Sequence, residues 1–127
     1  MARKGLENFR STLNSLEEFV TEPIQNDRDK AGIIQAFEFT FEQCWKALQQ
    51  EAQTQGTQVG SPKAAFKFAM DVGLISTAQE KLWLEMLEDR NLTSHTYKKE
   101  LADQVIQRIR DNYLNAFKGL LSKLPYA

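Results

Sequence analysis

Apolar residues recur along this chain at steps of three and four, and the long segments that keep this rhythm predict its helices. From about Lys4 to Glu22, Leu6, Phe9, Leu13, Leu16 and Val20 fall on one helical face. Pro23 disfavours helix at the residue before it, so the segment stops there. Asn26, Asp27 and Asp29 then stand where a new helix needs a cap and acidic groups for its dipole. The second segment, about Asp29 to Gln53, carries Ile34, Phe37, Phe41, Trp45 and Leu48 on its stripe. Cys44 and Ala52 lie on or beside that stripe, and Ile33, Phe39 and Ala47 widen it. At a rise of about 1.5 Å per residue it extends roughly 37 Å, enough to cross the whole molecule. After Gly56 and Gly60, Ser61-Pro62 reads as a restart, with Ser at the N-cap and Pro at the first helical position. The short helix that follows carries Ala65, Phe66, Ala69 and Met70 and ends at Gly73.

Thr77 with Glu80 has capping-box spacing, and Ile75 can staple that turn. The fourth segment, about Thr77 to Arg90, buries Leu82, Trp83, Met86 and Leu87. The last, about Lys98 to Leu121, offers Leu101, Val105, Ile109, either Tyr113 or Asn112, Ala116 and Leu120, widened by Ile106, Phe117 and Leu121. Pro125 forbids helix beyond it. No β-alternation and no internal repeat is visible. The pattern therefore predicts an all-α chain, an up-and-down four-helix bundle with one extra short helix, forming a single domain over residues 1–127.

One stretch interrupts the rhythm. Residues 90–97 read Arg-Asn-Leu-Thr-Ser-His-Thr-Tyr and include His95, the one histidine of the chain. Arg90 lies four residues past Met86 and so continues the buried face, where a guanidinium needs a polar partner. On an unbroken helix Arg90 and His95 would stand about 140° apart, from five steps of roughly 100°. Thr93, Ser94 and Thr96 are better at capping than in helix interiors. The expectation is a break within this stretch that lets Arg90, His95 and Tyr97 converge at one end of the bundle.

Composition narrows the chemistry. A formal net charge of −1 leaves no global basic field for non-specific nucleic-acid binding, so any such contact must be local. One cysteine and one histidine exclude an internal disulfide and a protein-only zinc site of the usual kind within one chain; no metal and no cofactor is expected. No apolar run approaches the roughly 20 residues of a membrane span, and the N-terminus carries no apolar signal region, which reads as a cytoplasmic protein. What remains is histidine for proton transfer near neutral pH, arginine to clamp a phosphate, and tyrosine to stack or donate. These groups suit metal-free cleavage of RNA. Because one chain supplies one histidine, acid and base can both be histidines only if two chains face each other across a dimer interface.

The segment Arg90-Asn91-Leu92-Thr93-Ser94-His95-Thr96-Tyr97 resembles the Arg-x4-His-x-Tyr motif of the HEPN superfamily of small helical proteins. It looks most like the nucleotidyltransferase substrate-binding branch, which is related to the HepT toxins. Phe37-Glu38-Phe39-Thr40-Phe41-Glu42-Gln43-Cys44-Trp45-Lys46 is similar to that branch's signature on the second helix. The resemblance implies a helical bundle that forms a homodimer or higher homo-oligomer and pairs with a separately encoded minimal nucleotidyltransferase. In the HepT group that pair is a toxin–antitoxin system. The toxin is a metal-independent endoribonuclease, and the partner silences it by adding AMP to the motif tyrosine. Carried onto this chain, Arg90 and His95 become the candidate catalytic pair, Asn91 a supporting group and Tyr97 the candidate modification site. Leu92-Thr93-Ser94 departs from the apolar residues often found there in HepT proteins, so fold and partner are implied more directly than RNA cleavage. The alternative is a non-catalytic substrate-binding or adaptor subunit of the nucleotidyltransferase. A third reading is a plain helical dimerisation module.

Other polar residues take their expected roles from spacing alone. Glu38 is expected to partner Arg90 or the polar stretch, and Glu42 to pair with Lys46 one turn on. Lys98 and Lys99 extend a candidate phosphate surface, whereas Arg108 and Arg110 read as a solvated helix face. Trp45 is expected to pack in the core rather than serve as a ligand platform, and Cys44 to be a small buried hydrophobe.

Overall fold

A computed structural model of the protein describes residues 2–95 and 98–124. Among them, four long helical rods run up and down, and a short helix sits between the second and third. Helix α1 is Ala2–Thr21, α2 is Asp27–Thr54 and α3 is Pro62–Asp71; α4 is Glu80–His95, entered through a 3-10 turn at Thr77–Gln79. The last rod is α5 (Lys99–Arg108) and α6 (Leu114–Lys123), joined without leaving helical geometry by a π-helical turn at Ile109–Tyr113. The bundle predicted from the apolar rhythm is present, and the described residues contain no strand.

The helix starts follow local chemistry. The Asn26 side chain accepts from the Asp29 amide, and Ser61 accepts from the Ala64 amide with Pro62 just inside α3. Gly56 and Gly73 take positive φ values of 76° and 82° at the two turns that follow α2 and α3, a conformation that a side chain would oppose. The turn before α4 departs from expectation. Ser76, not Thr77, is the cap, accepting from the Ala78 amide, so the Thr77–Glu80 box does not form.

One contiguous core holds the rods together. Phe9, Phe37, Phe41, Phe66, Trp83, Tyr113 and Phe117 are all fully buried and touch edge-on, tilted or stacked. Such aromatic pairs add about 0.5–1.5 kcal/mol each beyond area burial. Cys44 lies in this core, and burial pushes its thiol well above the usual range, in keeping with an inert small hydrophobe. Phe39 contradicts expectation: it is 56% exposed, on the outward face of α2.

Candidate functional site

The polar stretch stays helical through His95. The break expected within the stretch does not fall between Arg90 and His95; Lys98 is extended, and the chain re-enters helix at Lys99. Arg90 and His95 therefore keep the roughly 140° separation of a regular helix and do not converge within one chain. Thr93 explains why the helix persists. Its buried hydroxyl donates to Glu38 of α2 at 2.7 Å, and Ser94 donates to the same carboxylate oxygen at 2.9 Å. The hydroxyls that read as helix breakers instead tie α4 to α2. Glu38 partners the polar stretch, as expected, and not Arg90. Tyr97, the candidate modification site, lies outside the described residues.

Arg90 is half-buried and points to the other α2 carboxylate. Its Nη2 stands 3.8 Å from Glu42 Oε2, and its Nε finds no acceptor among the described residues. Glu42 also meets Lys46 Nζ at 3.5 Å and accepts from Trp45 Nε1 at 3.0 Å. Glu42 thus pairs with Lys46 as expected but shares itself with Arg90. Trp45 packs against the core as expected and adds a polar tip. His95 and Asn91 are exposed on a different face of α4, beside a shallow depression formed with Leu84, Leu87, Glu88 and Leu92. Leu84 and Leu92 are 38% and 43% exposed, so α4 carries apolar side chains outward as well as inward.

Beneath Arg90 lies a cluster that spacing did not reveal. Asp89 is buried, and its carboxylate accepts from Arg108 Nε at 2.7 Å and Nη2 at 2.8 Å and from the Tyr113 hydroxyl at 2.5 Å. Arg108 is not on a solvated face. Its guanidinium beside Asp89 is held charged beyond the usual arginine range, while burial and the Asp89 contact push the Tyr113 phenol well above its ordinary value. The π turn makes the cluster possible. Residues 108 and 113 are five apart, about 140° round an α-helix, whereas an i→i+5 turn stacks them on one face. Both donors then reach one carboxylate. A cue was available: Asp89 follows Met86 by three and precedes Thr93 by four, so it lies on the buried stripe as fairly as Arg90 does.

Elsewhere, a cleft of about 580 Å³ between α3 and the start of α4 is floored by Phe66, Ile75 and Trp83 and contains none of the motif residues. Lys99 pairs with Asp27 at 2.8 Å and Lys30 with Asp103 at 2.7 Å, both fastening α5 to the start of α2. Lys99 is thereby engaged in a structural pair. Among the described residues no group of three or more His, Cys, Asp or Glu side chains could hold a metal, and no helix is long and apolar enough to cross a membrane.

A family model described as "Nucleotidyltransferase substrate binding protein like" matches residues 4–125. The chain belongs to that family. A curated relative, the probable ribonuclease HepT of Haemophilus influenzae, is 33% identical over 99 residues, covering 74% of this chain and 66% of the relative, just under two thirds of its length. Among solved structures, a protein from Thermus thermophilus is 34% identical, superposes with a TM-score of 0.82, and is covered over its whole length by 99% of this chain. A tri-AMPylated HEPN toxin of Shewanella oneidensis, solved in complex with an MNT antitoxin, shares the fold at 14% identity, with a TM-score of 0.77 over 95% of this chain and 93% of that one. The family model and the HepT relative support the HEPN/HepT-related family first read from residues 90–97 and 37–46.

Proposed function

We propose that this chain is the HEPN-type subunit of a two-component, toxin–antitoxin-like module that works in the cytoplasm, and that it is a metal-independent endoribonuclease silenced by a separately encoded minimal nucleotidyltransferase. The HepT relative and the HEPN toxin bound to its MNT antitoxin support the class and the partner. The observation that carries the catalytic assignment is the placement of Arg90 and His95. Both are accessible, both lie on α4, and neither has a saturating partner among the described residues.

The chemistry follows from the groups. A base removes the proton from an RNA 2′-hydroxyl, the oxygen attacks the neighbouring phosphorus, and an acid protonates the 5′ oxygen as its bond to phosphorus breaks. Arg90 neutralises charge on the phosphoryl oxygens, and His95 moves the proton. Since Arg90 and His95 of one chain face apart, the complete site needs two copies, and the outward apolar face of α4 around Leu84 and Leu92 is where a second copy would pack. Glu38 supports the site by fixing Thr93 and Ser94, and Asn91 lies beside His95. Tyr97 is the proposed AMP acceptor. The family's character as nucleotidyltransferase substrate-binding proteins favours one second reading, an adaptor that binds substrate for the nucleotidyltransferase.

Incubation of the purified protein with RNA in chelator decides between them. Cleavage that disappears in His95→Ala and persists in Lys67→Ala, a substitution on the exposed face of α3, is the expected result. No cleavage together with stable binding to the nucleotidyltransferase would favour the adaptor. A strictly monomeric protein that still cleaves RNA would sink the two-copy site.

A further inference from the structure

We infer that Glu42 fills, from within the chain, a phosphate-binding pocket built by Arg90, Lys46 and Trp45. Three donors on two helices converge on this one carboxylate: Trp45 Nε1 at 3.0 Å, Lys46 Nζ at 3.5 Å and Arg90 Nη2 at 3.8 Å. The two cationic contacts are longer than the roughly 2.7–2.9 Å of a charge-assisted hydrogen bond. Arg90 Nε, an atom itself buried from solvent, has no acceptor among the described residues. A carboxylate can accept from several donors, but the Lys46 and Arg90 contacts stay long, so Glu42 leaves both cations short of a charge-assisted hydrogen bond. A tetrahedral phosphate, with more acceptor positions, suits that arrangement better. Two cations flank Glu42, and the three side chains are partly open: Arg90 32%, Glu42 34% and Lys46 49% exposed. Glu38, one turn earlier, is occupied by the Thr93 and Ser94 hydroxyls and does not compete for these donors.

The ligand is therefore a phosphate group, from a nucleic-acid strand or from a free nucleotide. Glu42 is its internal competitor, swinging out when the phosphate arrives. As a strand site this deepens the reading above, which gives Arg90 a phosphate to hold but assigns nothing to Glu42, Trp45 or Lys46.

The probe is a fluorescent 2′-O-methyl RNA decamer, with binding followed by anisotropy in chelator. It lacks the nucleophilic 2′-hydroxyl, so binding is read without cleavage. Glu42→Gln keeps an acceptor for Trp45 but removes the competing charge, and should bind about three- to fivefold tighter. Lys46→Ala should bind about threefold weaker and lower the slope of log affinity against log salt by about 0.7. The chain has two tryptophans, so the indole N–H proton signals in NMR are two, and Trp45→Phe identifies one of them. Added decamer should move the Trp45 signal and leave that of Trp83, which is buried against Phe66 and Phe117. A parallel titration with ATP separates the sources: a response to the decamer alone assigns a strand phosphodiester, and a response to ATP assigns a free nucleotide. Unchanged or weaker binding in Glu42→Gln, a stationary Trp45 signal, or no response to either probe overturns the proposal. RNA cleavage by a protein that fails these tests would leave the ribonuclease reading standing and remove only this pocket.

Discussion

Asp89 and Arg90 are neighbours on α4, and each sits in an arginine–carboxylate contact, yet the two contacts have opposite character. Asp89, with its side chain 4% exposed, receives both nitrogens of a fork from Arg108 and a third hydrogen bond from Tyr113. Arg90 reaches Glu42 at 3.8 Å, with both partners about a third exposed and one guanidinium nitrogen unmatched among the described residues. The first pair is saturated, and nothing can be added to it without taking something away. It fastens α4 to the C-terminal rod. The second has spare donors, which is the condition for receiving a ligand. A charged pair marks a binding site when its hydrogen-bonding capacity is left partly unused, and marks a structural tie when it is filled.

That contrast is broken most severely at Asp89. Removing one member of a buried pair leaves the other charge uncompensated, so Asp89→Ala should lose about 3 kcal/mol of stability in urea unfolding. Replacing both members by apolar residues of similar size, Asp89→Leu with Arg108→Met, should recover much of that loss. A cost below about 1 kcal/mol for the single change, in the range of an exposed pair, would erase the distinction between the two contacts.

Tyr113 gives the next largest effect and a pH signature. Tyr113→Phe should cost about 1.5–2 kcal/mol, as expected for a hydrogen bond to a charged group. Burial, then the Asp89 contact, raises the phenol above its ordinary value near 10. The folded state therefore holds its proton where the unfolded state releases it, and stability falls as pH rises above about 10. The variant lacks this proton, so its unfolding midpoint should decline less between about pH 9.5 and 11 than that of the unaltered protein. Parallel declines would show that the Tyr113 hydroxyl is not sequestered.

Much of this was legible in the chain. The apolar steps of three and four gave the rods, because burial against a shared core is periodic and local. Ser61 and Asn26 gave their starts, since a cap is chosen by its own side chain. The motif stretch was legible as the candidate site. Its geometry was not, because Thr93 and Ser94 find their acceptor on α2, 55 and 56 residues away, and so stabilise helix where local preference opposes it. The Asp89 cluster was hidden for another reason. Pattern reading assumes about 3.6 residues per turn, and the π turn at Ile109–Tyr113 changes that period at the one place where Arg108 and Tyr113 must align. Phe39 was misplaced because Phe37 and Phe41, two residues to either side, are core, whereas two steps of about 100° turn Phe39 to the opposite face.

The smallest stability effect should come from Arg90, one residue from the largest. Its contact with Glu42 is long, shared and solvent-screened, so Arg90→Gln should change stability by less than about 1 kcal/mol. Its effect on ligand should run the other way. If Arg90 is the cation that phosphate seeks, the same variant should bind the 2′-O-methyl decamer at least about tenfold more weakly, since it loses a charge-assisted contact that a phosphate would saturate. Far-ultraviolet circular dichroism and urea midpoints checked on the same samples make the two readouts comparable. A variant that unfolds readily yet keeps its affinity would invert the comparison: Arg90 would then be the tie, and the site would lie elsewhere on α4, around His95. Stability nearly unchanged with affinity lost is the outcome expected of an arginine whose hydrogen bonds the fold has left unfilled.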